Sequence, residues 1–202
     1  MKMQIKKIAS IALVLGALSG CASKQQMVYT ETYKGKPVHI LITKDLADEL
    51  VIVPGSLNEN EVKARAMLAS ADNEFRNDSN GMEFPPGDYI FIVQQVNDSA
   101  RYPKPGRPID LSKKIVLEID GKNKPVYCEF HSSYSKDLGS LATIYFKEIG
   151  CEIDKETIYK MAKSAQPVYI KFSGKNGYKG KFVLKEDVKP KLMAHYKYKK
   201  AK

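Results

Sequence analysis

Chemistry in this 202-residue chain would have to start from its nucleophiles, imidazoles and carboxylates, and these are scattered along it. The three histidines, His39, His131 and His195, are far apart, and none has paired-histidine or Cys-His metal-ligand spacing. His131-Ser132-Ser133 sets two hydroxyls beside an imidazole. Successive strand residues point to opposite faces, so this run is not a ready triad. Ser140 follows Gly139 and reads as a turn residue, and no Gly-x-Ser-x-Gly elbow occurs. The nearest glycine-rich stretch, Gly174 to Gly180, reads as a hairpin with its flanks rather than a phosphate cradle. Asp45 with Asp48, and Asp78 with Asp88, read as loop or helix-end acids. We therefore assign no catalytic residue, no metal ligand and no cofactor.

The thiol of Cys21 stands apart from these groups. Lys2, Lys6 and Lys7 precede an apolar run from Ile8 to Leu18, which ends in Leu18-Ser19-Gly20-Cys21. A basic start, a short apolar stretch and small residues at its end describe an export signal. The run is shorter than the ~20 residues of a membrane span.

Leu18-Ser19-Gly20-Cys21 resembles the lipobox of the bacterial lipoprotein family, a likeness confined to about the first 22 residues. The resemblance implies a diacylglyceryl thioether on Cys21, cleavage just before it, and acylation of the new amino group. Several chains on one residue give the stable anchoring that a single chain cannot. Ala22 stands where enterobacterial members retained at the inner membrane carry Asp. The expected location is therefore the cell envelope, with the periplasmic face of the outer membrane favoured over the inner membrane. The domain organisation that follows is a signal peptide over 1–20, a lipidated N-terminus and short tether over 21–26, and one α+β domain over 27–202.

With Cys21 taken by lipid, Cys128 and Cys151 remain, and in an oxidising periplasm they are expected to form a disulfide. A turn near Gly139-Ser140 would set them opposite each other if both lie on paired strands.

Lys and Arg number 33 against 23 Asp and Glu, a formal +10, and loss of the three signal lysines leaves +7. Seven lysines lie between Lys185 and Lys202 against Glu186 and Asp187. Such an end would be drawn to anionic lipid or another anionic envelope component, or would simply be a solvated helix. Nucleic acid is not an expected partner of an exported chain, and the basic stretch lacks a nucleic-acid motif. Tyr127, Tyr134, Tyr145, Tyr159, Tyr169 and Tyr178 lie on or beside expected elements, as packing or as a binding face for glycan or peptide.

The elements that would position these groups can be read coarsely. Met27–Tyr33 and Val38–Thr43 alternate as strands that a turn at Lys34-Gly35-Lys36-Pro37 could join into a hairpin. Asp45–Leu50 reads as one helical turn. Ser56-Leu57-Asn58-Glu59 has capping-box form and predicts an amphipathic helix to about Phe75, with Ala64, Leu68, Ala71 and Phe75 on one face. Asn77–Gly87 reads as a loop, Asp88–Val96 as a strand buried on both faces, and Asn97–Pro108 as a second loop. Lys114–Ile119 and Val126–His131 are strands around the turn Asp120-Gly121-Lys122-Asn123, and Leu141–Ile153 is a longer strand that bends at Gly150. Asp154 can cap a helix to about Ala165. Val168–Phe172 and Phe182–Leu184 flank an Asn176-Gly177 hairpin, and Glu186–Tyr198 reads as helical within the limits set by Pro190. The mixture predicts an α+β fold: a mainly antiparallel sheet with two or three packed helices.

Three functions fit this reading. The first is a membrane-anchored, non-enzymatic binding or assembly module. The second is a lipid-anchored enzyme on peptidoglycan or another envelope polymer. The third is an inhibitor or sensor of a secreted partner, using Asn97–Pro108.

Overall fold

The computed structural model describes residues 26–48, 63–77, 81–99, 110–137, 142–174 and 179–198. Cys21 and Leu18-Ser19-Gly20 lie outside them, as do the turn at 138–141 and Asn176-Gly177.

The chain begins with a hairpin, β1 (Gln26–Tyr33) and β2 (Lys36–Thr43). Lys34 and Gly35 both take positive φ, 49° and 78°, the backbone a tight two-residue turn requires. The strands β3 (Ala47–Asp48), β4 (Lys63–Ala71), β7 (Gly87–Ser99), β8 (Leu111–Ile119), β9 (Lys122–Asp137), β10 (Ala142–Ile153), β11 (Tyr169–Gly174) and β12 (Lys179–Leu184) complete one antiparallel sheet. Its order is β1-β2-β4-β7-β10-β9-β8-β11-β12-β3. The short β5 (Phe75–Asn77) and β6 (Met82–Phe84) pair separately. Two nine-residue helices, α1 (Lys155–Lys163) and α2 (Lys189–Lys197), follow β10 and β12, the second after a 3-10 turn at Glu186–Val188.

The sheet curls back on itself. Leu46 N–H donates to Ala66 O of β4 at 2.9 Å, and Leu46 O accepts from Lys185 N–H just beyond β12 at 3.3 Å. The far edge of the sheet thus returns to β4 and closes a barrel, which covers the β3 edge and leaves β1, paired with β2, as the outermost strand. Ala64, Ala66 and Leu68 of β4, Ile90 and Ile92 of β7, Ile115 and Leu117 of β8, Ile170 and Phe172 of β11 and Phe182 of β12 fill it. α1 and α2 plug the end where β7 begins and β10 ends, through Ile158, Met161, Val188 and Leu192.

A second apolar cluster lies on the opposite face of β2, β4, β7 and β10. Val38, Ile40, Met67, Ala69, Tyr89, Phe91 and Phe146 meet Phe75 and Phe84 of the small hairpin there. Phe75 and Phe84 stack with ring centroids 5.0 Å apart.

This second cluster explains the main departure from the sequence reading. The stretch expected as a helix to Phe75 is, over its described part, the strand β4 followed by β5. Alternate residues of Lys63–Ala71 enter the two clusters, so β4 is buried on both sides and shows no polar alternation. Its alanines favour a helix in isolation, but nine registered pairs with β7 and four with β2 override that preference. The helical turn expected at Asp45–Leu50 gives way, in its described part, to the strand β3, because Leu46 and Ala47 bridge β4 and β12. The expected loop Asn77–Gly87 contains β6, and Gln26, counted with the tether, already pairs with Thr43 in β1. Asn97–Ser99 extend β7 rather than opening a loop. The sheet is mainly antiparallel as expected, but two short helices accompany it among the described residues, so two or three packed helices was too many.

Cys128 and Cys151 form a disulfide across β9 and β10. The register slips beside it, with Cys151 opposite Cys128 and Gly150 opposite Phe130, so Glu129 is the extra residue of a bulge. The bulge turns β9 over: Val126 and Cys128 face the barrel core, whereas Phe130 and Tyr134 reach the second cluster. The bend expected at Gly150 is this slip. A Cβ there would press on Phe91 and Phe130.

Candidate functional site

The densest constellation of reactive groups lies under α2, at the plugged end of the barrel. His195 is 0 % exposed. Its Nε2 lies 2.8 Å from Thr43 Oγ1 of β2, and its Nδ1 lies 2.8 Å from Ser70 Oγ of β4. Ser70 Oγ also donates to Asp88 Oδ1 at the start of β7. Lys155 Nζ of α1 donates to the same Asp88 oxygen at 2.7 Å and to His195 O at 2.6 Å. At the other end of the chain of bonds, Gln26 Nε2 donates to Thr43 Oγ1 at 3.1 Å and to Lys191 O at 3.2 Å.

These contacts assign every proton. Asp88, paired with the Lys155 ammonium, only accepts, so the Ser70 proton goes to it and Ser70 Oγ accepts from His195 Nδ1–H. Nε2 is then the lone-pair nitrogen and accepts from Thr43 Oγ1–H, whose oxygen accepts from Gln26. The imidazole is neutral, and burial followed by the nearby Lys155 charge lowers its pKa from 6.5 to about 3.

The order Thr43–His195–Ser70–Asp88 puts a hydroxyl on the basic nitrogen and a carboxylate one hydroxyl beyond the other, a near-relative of a hydrolytic triad. Thr43 and His195 are 0 % exposed and Ser70 1 %, so no substrate atom reaches the hydroxyl or the imidazole. The arrangement is a polar clasp that ties β1, β2, β4, β7 and both helices together.

The other histidines do separate work. His39 N–H donates to Asp72 Oδ1, and its Nδ1 lies 2.7 Å from Asp72 Oδ2, so the ring fixes the turn after β4. His131 Nε2–H donates to Cys128 O at 3.0 Å, beside the bulge. Ser132 points to Glu148 at 3.5 Å, away from that imidazole. Of the six tyrosines singled out in the sequence, the five that fall among the described residues are not gathered into one face. Tyr134 stacks on Phe146 in the second cluster, and Tyr169 lies under the Lys181 ammonium. Tyr127 is 70 % exposed on β9, Tyr145 and Tyr159 are exposed elsewhere, and Tyr178 lies outside the described residues.

A shallow cleft of about 390 Å³ separates the start of β9 from the end of β10 and α1, with Tyr127, Glu129, Glu152 and Asp154 on its walls. Lys124 crosses it to Asp154 Oδ2 at 2.6 Å. Asp154 also caps α1 by accepting from Thr157 N–H at 2.6 Å. Burial alone would raise the Asp154 carboxyl, but hydrogen bonds from Lys124 and Thr157 outweigh it and hold the pKa at about 2. Among the described residues, no cluster of three or more His, Cys, Asp or Glu could hold a metal ion, and no helix is long and apolar enough to cross a membrane.

Sequence reasoning missed the clasp because His195 and Thr43 are 152 positions apart. One local signal was present: Val188, Leu192 and His195 follow the i, i+4, i+7 rhythm of a buried helix face. The chain matches no protein family, no curated protein and no solved structure.

Proposed function

We propose that the chain is a lipid-anchored envelope protein that acts as a non-enzymatic binding or assembly module. One observation carries the non-enzymatic reading: the best-formed set of catalytic residue types, Thr43, His195, Ser70 and Asp88, is sealed beneath α2 and holds the fold together. The groups free to meet a partner lie on the outside, where Tyr127, Tyr145, Tyr159 and Tyr196 are exposed among lysines.

The Cys128–Cys151 bond supports an oxidising compartment, in keeping with export. Leu18-Ser19-Gly20-Cys21 supplies the anchor, and Ala22 favours the outer membrane. The pairing of Gln26, five positions beyond Cys21, with Thr43 supports a domain held close to the bilayer. The deciding experiment is crosslinking in intact envelopes followed by capture of the wild type and of Cys21→Ala. The anchored module predicts a defined partner set with the wild type and its loss in the variant. Capture of every partner by a soluble, unlipidated Cys21→Ala protein would overturn it.

A further inference from the structure

Resting on the lipid-anchor reading above, we propose that the cap formed by α1 and α2 is the face turned to the membrane, where it binds anionic phospholipid headgroups. The geometry begins with Gln26. It lies five positions beyond Cys21, and an extended chain spans at most ~3.6 Å per residue, so the lipid enters the bilayer within roughly 18 Å of Gln26. The Gln26 side chain is itself bonded to Lys191 O of α2. The strand end that leads to the anchor therefore adjoins the helical cap, and the β1–β2 turn at Lys34-Gly35 is carried to the far end of the hairpin.

The chemistry of the cap fits a headgroup layer. Tyr159 of α1 and Tyr196 of α2 are 41 % and 39 % exposed, with ring centroids 5.0 Å apart. Tyrosine, apolar in body and polar at its tip, is enriched where bilayer meets water. Exposed Lys160, Lys163 and Lys197 accompany the pair on the two helices, and Lys199, Lys200 and Lys202 follow in the sequence. Lys160 pairs with Glu156, Lys189 with Glu186 and Lys191 with Asp187, whereas Lys163 and Lys197 have no carboxylate partner among the described residues. Each lysine near an anionic surface adds to the attraction, and lysines beside an acyl anchor give the second signal that firm membrane association uses.

The test uses the mature chain with Cys21→Ser, so that no lipid contributes, and vesicles of phosphatidylcholine with or without one-third phosphatidylglycerol, sedimented in physiological salt. The expected result is preferential binding to the anionic vesicles, weakened at least ~10-fold by Lys160→Ala, Lys163→Ala and Lys197→Ala together. Lys34→Ala, Lys36→Ala and Lys113→Ala remove equal charge from the β1–β2 turn and the start of β8, and should leave binding nearly unchanged. Lysine acylation of the unsubstituted chain, read by mass spectrometry, should show Lys160, Lys163 and Lys197 protected by anionic vesicles whether or not the variants fold well. Equal loss from both triple variants, or protection spread evenly over the lysines, would overturn the inference. Cap-dependent binding by a chain whose Cys21 carries no lipid in cells would instead overturn the anchor alone.

Discussion

His195 and Asp88 are joined through a single hydroxyl: Ser70 Oγ accepts from the imidazole Nδ1–H at 2.8 Å and donates its own hydrogen bond to the carboxylate. A histidine from the last helix is thereby locked to the first residues of a central strand, and Lys155 closes the loop by bonding both Asp88 and the His195 carbonyl.

Replacing that histidine should loosen the whole capped end. In His195→Phe the Thr43 and Ser70 hydroxyls stay buried and each loses a partner, at about 1–3 kcal/mol apiece. Urea unfolding at pH 7 should show a loss of at least about 2 kcal/mol. Adding Thr43→Val should cost less in the variant than in the wild type, since the two residues share one network. Independent, additive effects would show that the clasp does not act as a unit.

The same residue sets a pH dependence. Its folded pKa, about 3, lies below the ordinary 6.5, so between those values the unfolded chain binds the extra proton. Stability from this group is complete above about pH 6.5 and is lost as pH falls towards 3. Denaturant midpoints should drop between pH 7 and pH 5 in the wild type and drop less in His195→Phe. Parallel behaviour of the two proteins would show that the imidazole is not held neutral.

Reduction should weaken the fold without rearranging it. Cys128 and Cys151 are 23 residues apart, and a link of that span removes about 3 kcal/mol of unfolded-chain entropy. The oxidised chain should therefore unfold at distinctly higher urea than the reduced one. In the folded protein neither cysteine should react with an alkylating reagent until reductant is added, and equal labelling with and without it would contradict the bond.

Barrel packing can be tested at Gly180. A Cβ there would run into the Phe172 ring, which stacks on Phe182 inside the barrel. Gly180→Ala should cost about 1–3 kcal/mol by overpacking, and Phe172→Leu in the same chain should recover part of it. A neutral Gly180→Ala would mean that β11 and β12 do not meet as closely as described.

Much of the sheet was legible because its signals are local. Lys34-Gly35 and Asp120-Gly121 announce tight turns, and both occur with positive φ at both residues. Asp154 announces α1 and accepts from the Thr157 amide. β4 was illegible for a physical reason: with Ala64 and Leu68 in one core and Met67 and Ala69 in another, no polar face marks the period of two. The pairing of Cys128 with Cys151 followed from expected compartment and count, whereas the bulge that sets their register depends on one extra residue, Glu129, and left no mark beyond Gly150. His195 could be suspected of burial from its helical rhythm. Its partners could not be named, because two strands and the other helix supply them from distant parts of the chain.

The lipid anchor is tested by the mass of the N-terminal peptide of the chain extracted from bacterial membranes. The expected peptide begins at Cys21, carries a diacylglyceryl thioether and an acylated amino group, and is lost in Cys21→Ala. A peptide beginning at Met1, or one beginning at or beyond Cys21 without lipid, would contradict it.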